Sequence, residues 1–162
     1  MVTFSAKYLC FLILLLFVPD AVAQDHLFSE VKVTPKRVFV GQPAQVSVAV
    51  YTSTWFTKGV KPGNIKVNGA FTVFFSSVAS SKTVNGKSYS GVQMTFNVFP
   101  YDDEDLIFPS LQIKVETPDE GSPKGIPRLI KTRSQKIDVK PVPKGFDRSQ
   151  WLVASDMSIK DN

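Results

Sequence analysis

Four consecutive acidic residues, Asp102-Asp103-Glu104-Asp105, form the densest set of hard oxygen donors in the chain. Carboxylates grouped this closely can hold a divalent cation such as Ca²⁺, with Asp102, Asp103 and Asp105 as ligands. A cation loop, though, spaces its ligands alternately and places a glycine at its sharp turn. This run is contiguous and free of glycine. It equally fits a solvated turn whose charge keeps a sheet edge from pairing with another chain. A glycosidase pair would need two carboxylates across a cleft, and nothing in the sequence sets them there. No resident metal and no cofactor are expected.

Nucleophilic chemistry has little material. His26 is the only histidine. It falls close to the expected mature N-terminus, where a Ser/His/Asp arrangement would rest on a frayed tail. One histidine cannot make a His/Cys zinc site. Cys10 is the only cysteine. There is no glycine-rich phosphate loop and no GxSxG motif. The expected function is therefore non-enzymatic.

The remaining residue types suited to function are exposed aromatics. Trp55 and Phe56 sit together in a stretch punctuated by Gly59, Pro62 and Gly63. Large aromatics on a presented loop anchor protein interfaces and stack on sugars. The competing reading has both rings capping the bottom of the core, since large aromatics are mostly buried. Trp151 carries the same two readings, and a tail tryptophan that folds back over an open sheet edge is the favoured one. Tyr101 is a further aromatic available to a sugar.

The elements around these residues begin with an address. Lys7 precedes an apolar run of about 11 residues, 8–18, far short of the ~20 needed to cross a bilayer. Pro19-Asp20 breaks the run, and Ala21-Val22-Ala23 offers small residues where a signal peptidase reads. Residues 1–23 are thus expected to be a signal peptide cleaved after Ala23, not a retained anchor. Cys10 lies inside the run, away from the junction a lipoprotein would need. About 139 residues then remain, one domain's worth. They hold no cysteine. An exported chain without disulfides points to a bacterial periplasm or cell envelope. Losing Lys7 with Asp20 leaves the net charge at +5. The charge is scattered, with no basic stripe interleaved with aromatics, so nucleic acid is not an expected partner. Weak attraction to anionic lipid or polysaccharide is compatible with it.

Beyond the leader the pattern has period two. Val31 and Val33 alternate with polar residues up to Pro35, and residues 37–40 continue briefly. Residues 44–51 alternate cleanly, with valines on one side. Residues 52–63 read as a loop and 65–67 as a short extended piece. Residues 70–77 (AFTVFFSS) are aromatic and β-branched and read as a central strand, with 78–84 as a polar edge. Asn85-Gly86 predicts a tight hairpin, because both central residues of its turn need positive φ. Residues 87–99 return with Val92, Met94, Phe96 and Val98 on one face. Residues 106–108 and 111–116 are further strands, 117–128 a loop, and 129–139 a last strand. About seven short strands and no helical period predict an all-β, Ig-like antiparallel β-sandwich over residues 24–143, followed by a tail over 144–162. A closed barrel is the alternative.

Several stretches in this order resemble the N-terminal region of the BatD family, the bacterial oxygen-tolerance or aerotolerance proteins. They are Val31-Lys32-Val33 with Arg37-Val38-Phe39-Val40-Gly41-Gln42-Pro43; Lys82-Thr83-Val84-Asn85-Gly86-Lys87; Phe96-Asn97-Val98-Phe99-Pro100; Ile107-Phe108-Pro109-Ser110-Leu111-Gln112-Ile113; residues 134–139; and Pro141-Val142-Pro143 with Trp151-Leu152-Val153-Ala154. The resemblance spans roughly residues 28–157. It implies an Ig-like, envelope-facing binding module that works beside von Willebrand A-type membrane proteins and a MoxR-type ATPase. Two features depart from that pattern. The family places a glycine in the acidic turn where this chain has Asp102-Asp103-Glu104-Asp105-Leu106. Its members also continue to a C-terminal membrane anchor, whereas this chain reaches Asn162 without an apolar span, as a short soluble paralogue or a truncated product would. An interaction module that binds another envelope protein, through a sheet edge or the Trp55 loop, is the first functional expectation. A carbohydrate- or matrix-binding adhesin-like domain is the alternative.

Overall fold

The computed structural model describes residues 26–63, 65–151 and 153. The expected signal peptide, and most of the tail beyond Trp151, lie outside the described residues. Nine strands and no helix are present among those described. Their order is β1 (Leu27–Thr34), β2 (Arg37–Phe39), β3 (Ala44–Thr52), β4 (Ala70–Val84), β5 (Lys87–Pro100), β6 (Leu106–Phe108), β7 (Gln112–Pro118), β8 (Gly125–Lys131) and β9 (Gln135–Lys140).

One sheet has the order β1-β3-β5-β4, and every neighbour in it is antiparallel. A second has the order β2-β9-β6, with β2 parallel and β6 antiparallel to β9. β7 and β8 form an antiparallel hairpin. The two sheets share one core. Val33, Val46, Val48, Val50, Met94, Phe96 and Val98 come from the first sheet. Val38, Leu106, Phe108, Ile137 and Val139 come from the second, and Ile113, Val115 and Ile130 from the hairpin. The period-two pattern is the cause: in a strand alternate side chains share a face, so each alternating run delivers one apolar row inward. Phe96 lies at the centre, its ring 6.0 Å from that of Phe108 and 5.5 Å from that of Phe74. The architecture is β-sandwich-like.

The Asn85-Gly86 turn has φ of 50° and 79°, the doubly left-handed conformation that an Asn-Gly pair tolerates best. It joins the two longest strands.

Three expectations about the strands need correction. Residues 70–77 are not central. They belong to β4, which continues unbroken to Val84 and occupies the outer edge of its sheet. Composition identifies a strand, but its rank in a sheet depends on partners that composition does not name. The loop expected over 117–128 is also shorter. β7 runs through Pro118 and β8 begins at Gly125, leaving only 119–124 between them. Last, residues 129–139 are not one strand. They divide between β8 and β9, which belong to different sheets. The break faces Pro109, which has no N–H for a ladder. Thr132 bridges the gap instead: its N–H donates to Leu111 O at 2.9 Å, and its Oγ1 accepts from Leu111 N at 2.9 Å.

Candidate interaction surface

Trp55 follows the end of β3, and its surroundings fix where it points. Thr52 is buried and its Oγ1 accepts from Thr54 N at 3.3 Å, which turns the chain. Thr54 Oγ1 donates to Pro118 O at 3.1 Å. On the far side, Thr57 N donates to Glu116 O at 2.9 Å and Thr57 Oγ1 to Glu116 Oε1 at 2.9 Å. Lys58 Nζ reaches the other carboxylate oxygen at 2.6 Å. Lys58 first, and then Thr57, hold the Glu116 carboxyl below the ordinary carboxylate range. Gly125 allows this close approach, since a Cβ there would lie 2.2 Å from Thr57 Oγ1.

Between these two tethers the adjacent aromatics separate. Phe56 is half-buried and packs against the main core. Trp55 is 50% exposed. The pair therefore neither caps the core together nor faces solvent together: Phe56 anchors the loop and Trp55 is presented by it.

Trp151 takes another place. Its Nε1 donates to Val40 O at 3.2 Å. Its ring meets Phe39 edge-on at 5.9 Å and Phe146 at 5.2 Å. The tail thereby covers the outer side of β2. Tyr101 is exposed, and its carbonyl accepts from Arg148 Nη2 at 2.5 Å.

The acidic turn does not gather its carboxylates on one point. Asp105 Oδ1 accepts from Val139 N at 3.0 Å and its Oδ2 pairs with Lys136 at 2.7 Å. Those two contacts, Lys136 foremost, hold its carboxyl below the ordinary range. Asp102 Oδ1 accepts from Glu104 N at 3.2 Å, a local turn contact. Among the described residues no three His, Cys, Asp or Glu side chains are placed to share a metal ion.

His26 is not on a frayed end, contrary to the sequence expectation. Its Nε2 lies 3.2 Å from Pro118 O and its Nδ1 2.5 Å from Ser53 Oγ. Ser53 N also donates to His26 O at 3.0 Å, and Ser53 Oγ lies 3.4 Å from Glu120 Oε1. The ring thus ties the start of β1 to the end of β3 and the end of β7. With Nε2–H donating to the carbonyl, Nδ1 is left to accept the Ser53 hydroxyl. Glu120 in turn accepts from Lys87 at 2.9 Å, which holds its carboxyl below the ordinary range. Residue spacing gave no sign of this contact, because 27 residues separate its partners.

The hairpin around residues 82–87 is also paired. Lys82 pairs with Glu30 and lies 5.9 Å above the Tyr51 ring. Behind it Phe28 stacks on Tyr51 at 5.1 Å and meets Tyr89 edge-on at 5.0 Å. This small aromatic cluster is separate from the main core.

The surface that residue types did not reveal is β4. Phe71, Phe74 and Phe75 are 57%, 49% and 66% exposed, and Val73 and Val78 are exposed with them. Phe75 is the extra residue of a β-bulge against β5. The apolar signal that suggests a buried central strand instead marks bare surface. No described helix is long and apolar enough to cross a membrane. Comparison with protein-family models, with curated proteins and with solved structures finds no match to this chain.

Proposed function

We propose that the chain is a non-enzymatic, exported Ig-like module of the bacterial envelope, BatD-like, that binds another envelope protein through Trp55. The observation carrying this is the half-exposed Trp55 on a loop locked by Phe56 on one side and Glu116 on the other. A large ring carried on a tethered loop binds with little loss of backbone freedom, which favours tryptophan at the centre of an interface. The sheet order supports the Ig-like part of the reading. Strands β1, β3, β5 and β4 lie in the order A, B, E and D of an Ig sandwich. The antiparallel pairings of β6 with β9 and of β7 with β8 are compatible with an F–G pair opposite that sheet. The leader-like residues 1–23 support export to the periplasm or envelope. Work beside von Willebrand A-type proteins in an aerotolerance-linked complex follows from the BatD resemblance.

Titration of the chain against the extracytoplasmic domain of a von Willebrand A-type Bat protein tests this. Trp55→Ala is expected to weaken binding by about 2 kcal/mol or more while leaving the thermal melt unchanged. Equal binding by wild type and variant would retire the site. A parallel glycan-retention assay separates the adhesin-like alternative, since an exposed indole also stacks on sugars. Retention on glycan that Trp55→Ala abolishes, with no protein complex, would favour that alternative.

A further inference from the structure

We propose that the free edge of β4 is the interface of a two-fold homodimer, in which two copies join edge to edge. This is independent of the Trp55 reading, because the loop of Trp55 is tethered to β7 and not to β4.

The topology supplies the first reason. Among the described residues β4 has β5 as its one strand neighbour, so along residues 71–81 the backbone N–H and C=O groups of its other side face outward. At 15 residues it is the longest described strand, and residues 71–81 alone offer roughly 35 Å of pairing template. The bulge at Phe75 interrupts the edge at one point only. Residues 76–84 beyond it stay in regular register with β5.

Chemistry supplies the second reason. Exposed edges are normally guarded by charge, by proline, by shortness or by a cover. The other outer strands here are guarded in these ways, β7 by Lys114, Glu116 and Pro118. β1 carries Glu30 and Lys32, and its Ser29 Oγ donates to Lys131 O at 3.4 Å. β2 and β6 have three residues each, and Trp151 lies over β2. β8 carries Pro127, Arg128 and Lys131. Residues 70–81 of β4 contain no charge and no proline. Instead they expose Phe71, Phe74, Phe75, Val73 and Val78.

Area and charge identify the occupant. The three phenylalanines leave roughly 300–400 Å² of ring surface per copy, taking 150–250 Å² for a whole aromatic side chain. Two such patches, with the valines and both backbone edges, come close to the ~1,200 Å² at which stable interfaces begin. A two-fold axis sets a patch against itself. In a chain of net charge +5 most surfaces would then meet like charge. The uncharged stretch of β4 does not, and Lys82, the first charge beyond it, is already paired with Glu30.

Sedimentation velocity across a concentration series, on protein purified after expression of the whole 162-residue sequence, tests the proposal. Phe75→Lys puts a charge in the aromatic patch. Ser77→Lys puts one on an exposed serine and removes no apolar contact. A dimer that each substitution weakens at least tenfold, with unchanged thermal melts, is the expected result. A monomer at about 0.1 mM overturns the proposal, because so weak a Kd is not that of a built interface. So does a dimer unmoved by either lysine, or one moved by Phe75→Lys alone, which would place the contact on the face of the sheet and not along its edge. A ladder of higher oligomers overturns it as well, since two-fold edge pairing closes at two.

Discussion

Phe96 and Asp105 show what single residues contribute to this fold. Phe96 is 2% exposed and touches rings from both sheets. Truncation removes the transfer energy of the ring and leaves a cavity that strands on both sides cannot collapse to fill. Phe96→Ala is expected to cost about 3–5 kcal/mol, read as a lower denaturant midpoint at unchanged slope. Asp105 acts through charge. Its carboxyl is held below the ordinary range by Lys136 first and then by Val139 N–H. A group whose folded pKa is depressed stabilises the fold above its unfolded value, and that contribution fades as pH falls through the folded one. Asp105→Asn is therefore expected to lower the melting temperature near neutral pH. The gap from wild type should shrink once pH drops below about 4, the unfolded carboxylate range. Lys136 is raised by the same pair, so its share is lost only at strongly alkaline pH. A gap that stays constant across the acid range would show that the pair contributes nothing to folding.

At the scale of elements, the pairing of β3 with β5 sets a tight steric limit. Gly91 lies opposite Tyr51 in the register. A Cβ on Gly91 would sit 2.5 Å from the Tyr51 ring and 2.8 Å from Ser80 Oγ. Tyr51 cannot easily give way, because Phe28 stacks on it. Gly91→Ala is expected to destabilise by about 1–3 kcal/mol through overpacking. Gly86 gives the contrasting case. It has open space around its Cβ position but a φ of 79°. Gly86→Ala is expected to cost about 1–2 kcal/mol through backbone strain alone. Chemical denaturation of both variants with near-ultraviolet dichroism separates the two mechanisms. Only Gly91→Ala should perturb the tyrosine signal, and a spectrum unchanged in both would argue against the packing account.

Across the whole molecule, residues remote in sequence finish the sheets. Trp151 bonds to Val40 O, a separation of 111 residues. Trp151→Ala removes two edge-to-face contacts worth about 0.5–1.5 kcal/mol each. A loss of about 1–3 kcal/mol is expected, with faster amide exchange confined to β2 and its neighbour β9. Uniform loss of protection across both sheets would mean that the tail supports the core in general and does not guard one edge. The three large apolar features of the surface therefore differ in fate. Trp151 is used within the fold, Trp55 is presented by a braced loop, and the phenylalanines of β4 line an unguarded edge.

The sequence alone determined the strands that alternate. Ala44 to Thr52 and Lys87 to Pro100 are legible because period two is a local property of strands whose alternate residues differ in polarity. The Asn85-Gly86 turn is legible because left-handed φ is a property of those two residues. Tertiary structure decided the rest. That AFTVFF lies at an edge, that residues 129–139 change sheets, and that His26 meets Ser53 all depend on partners far away in sequence. Trp55 and Phe56 are adjacent and chemically alike, and local pattern treats them as one. Only the tethers to β7 on one side and the core on the other decide that Phe56 turns in while Trp55 stays out.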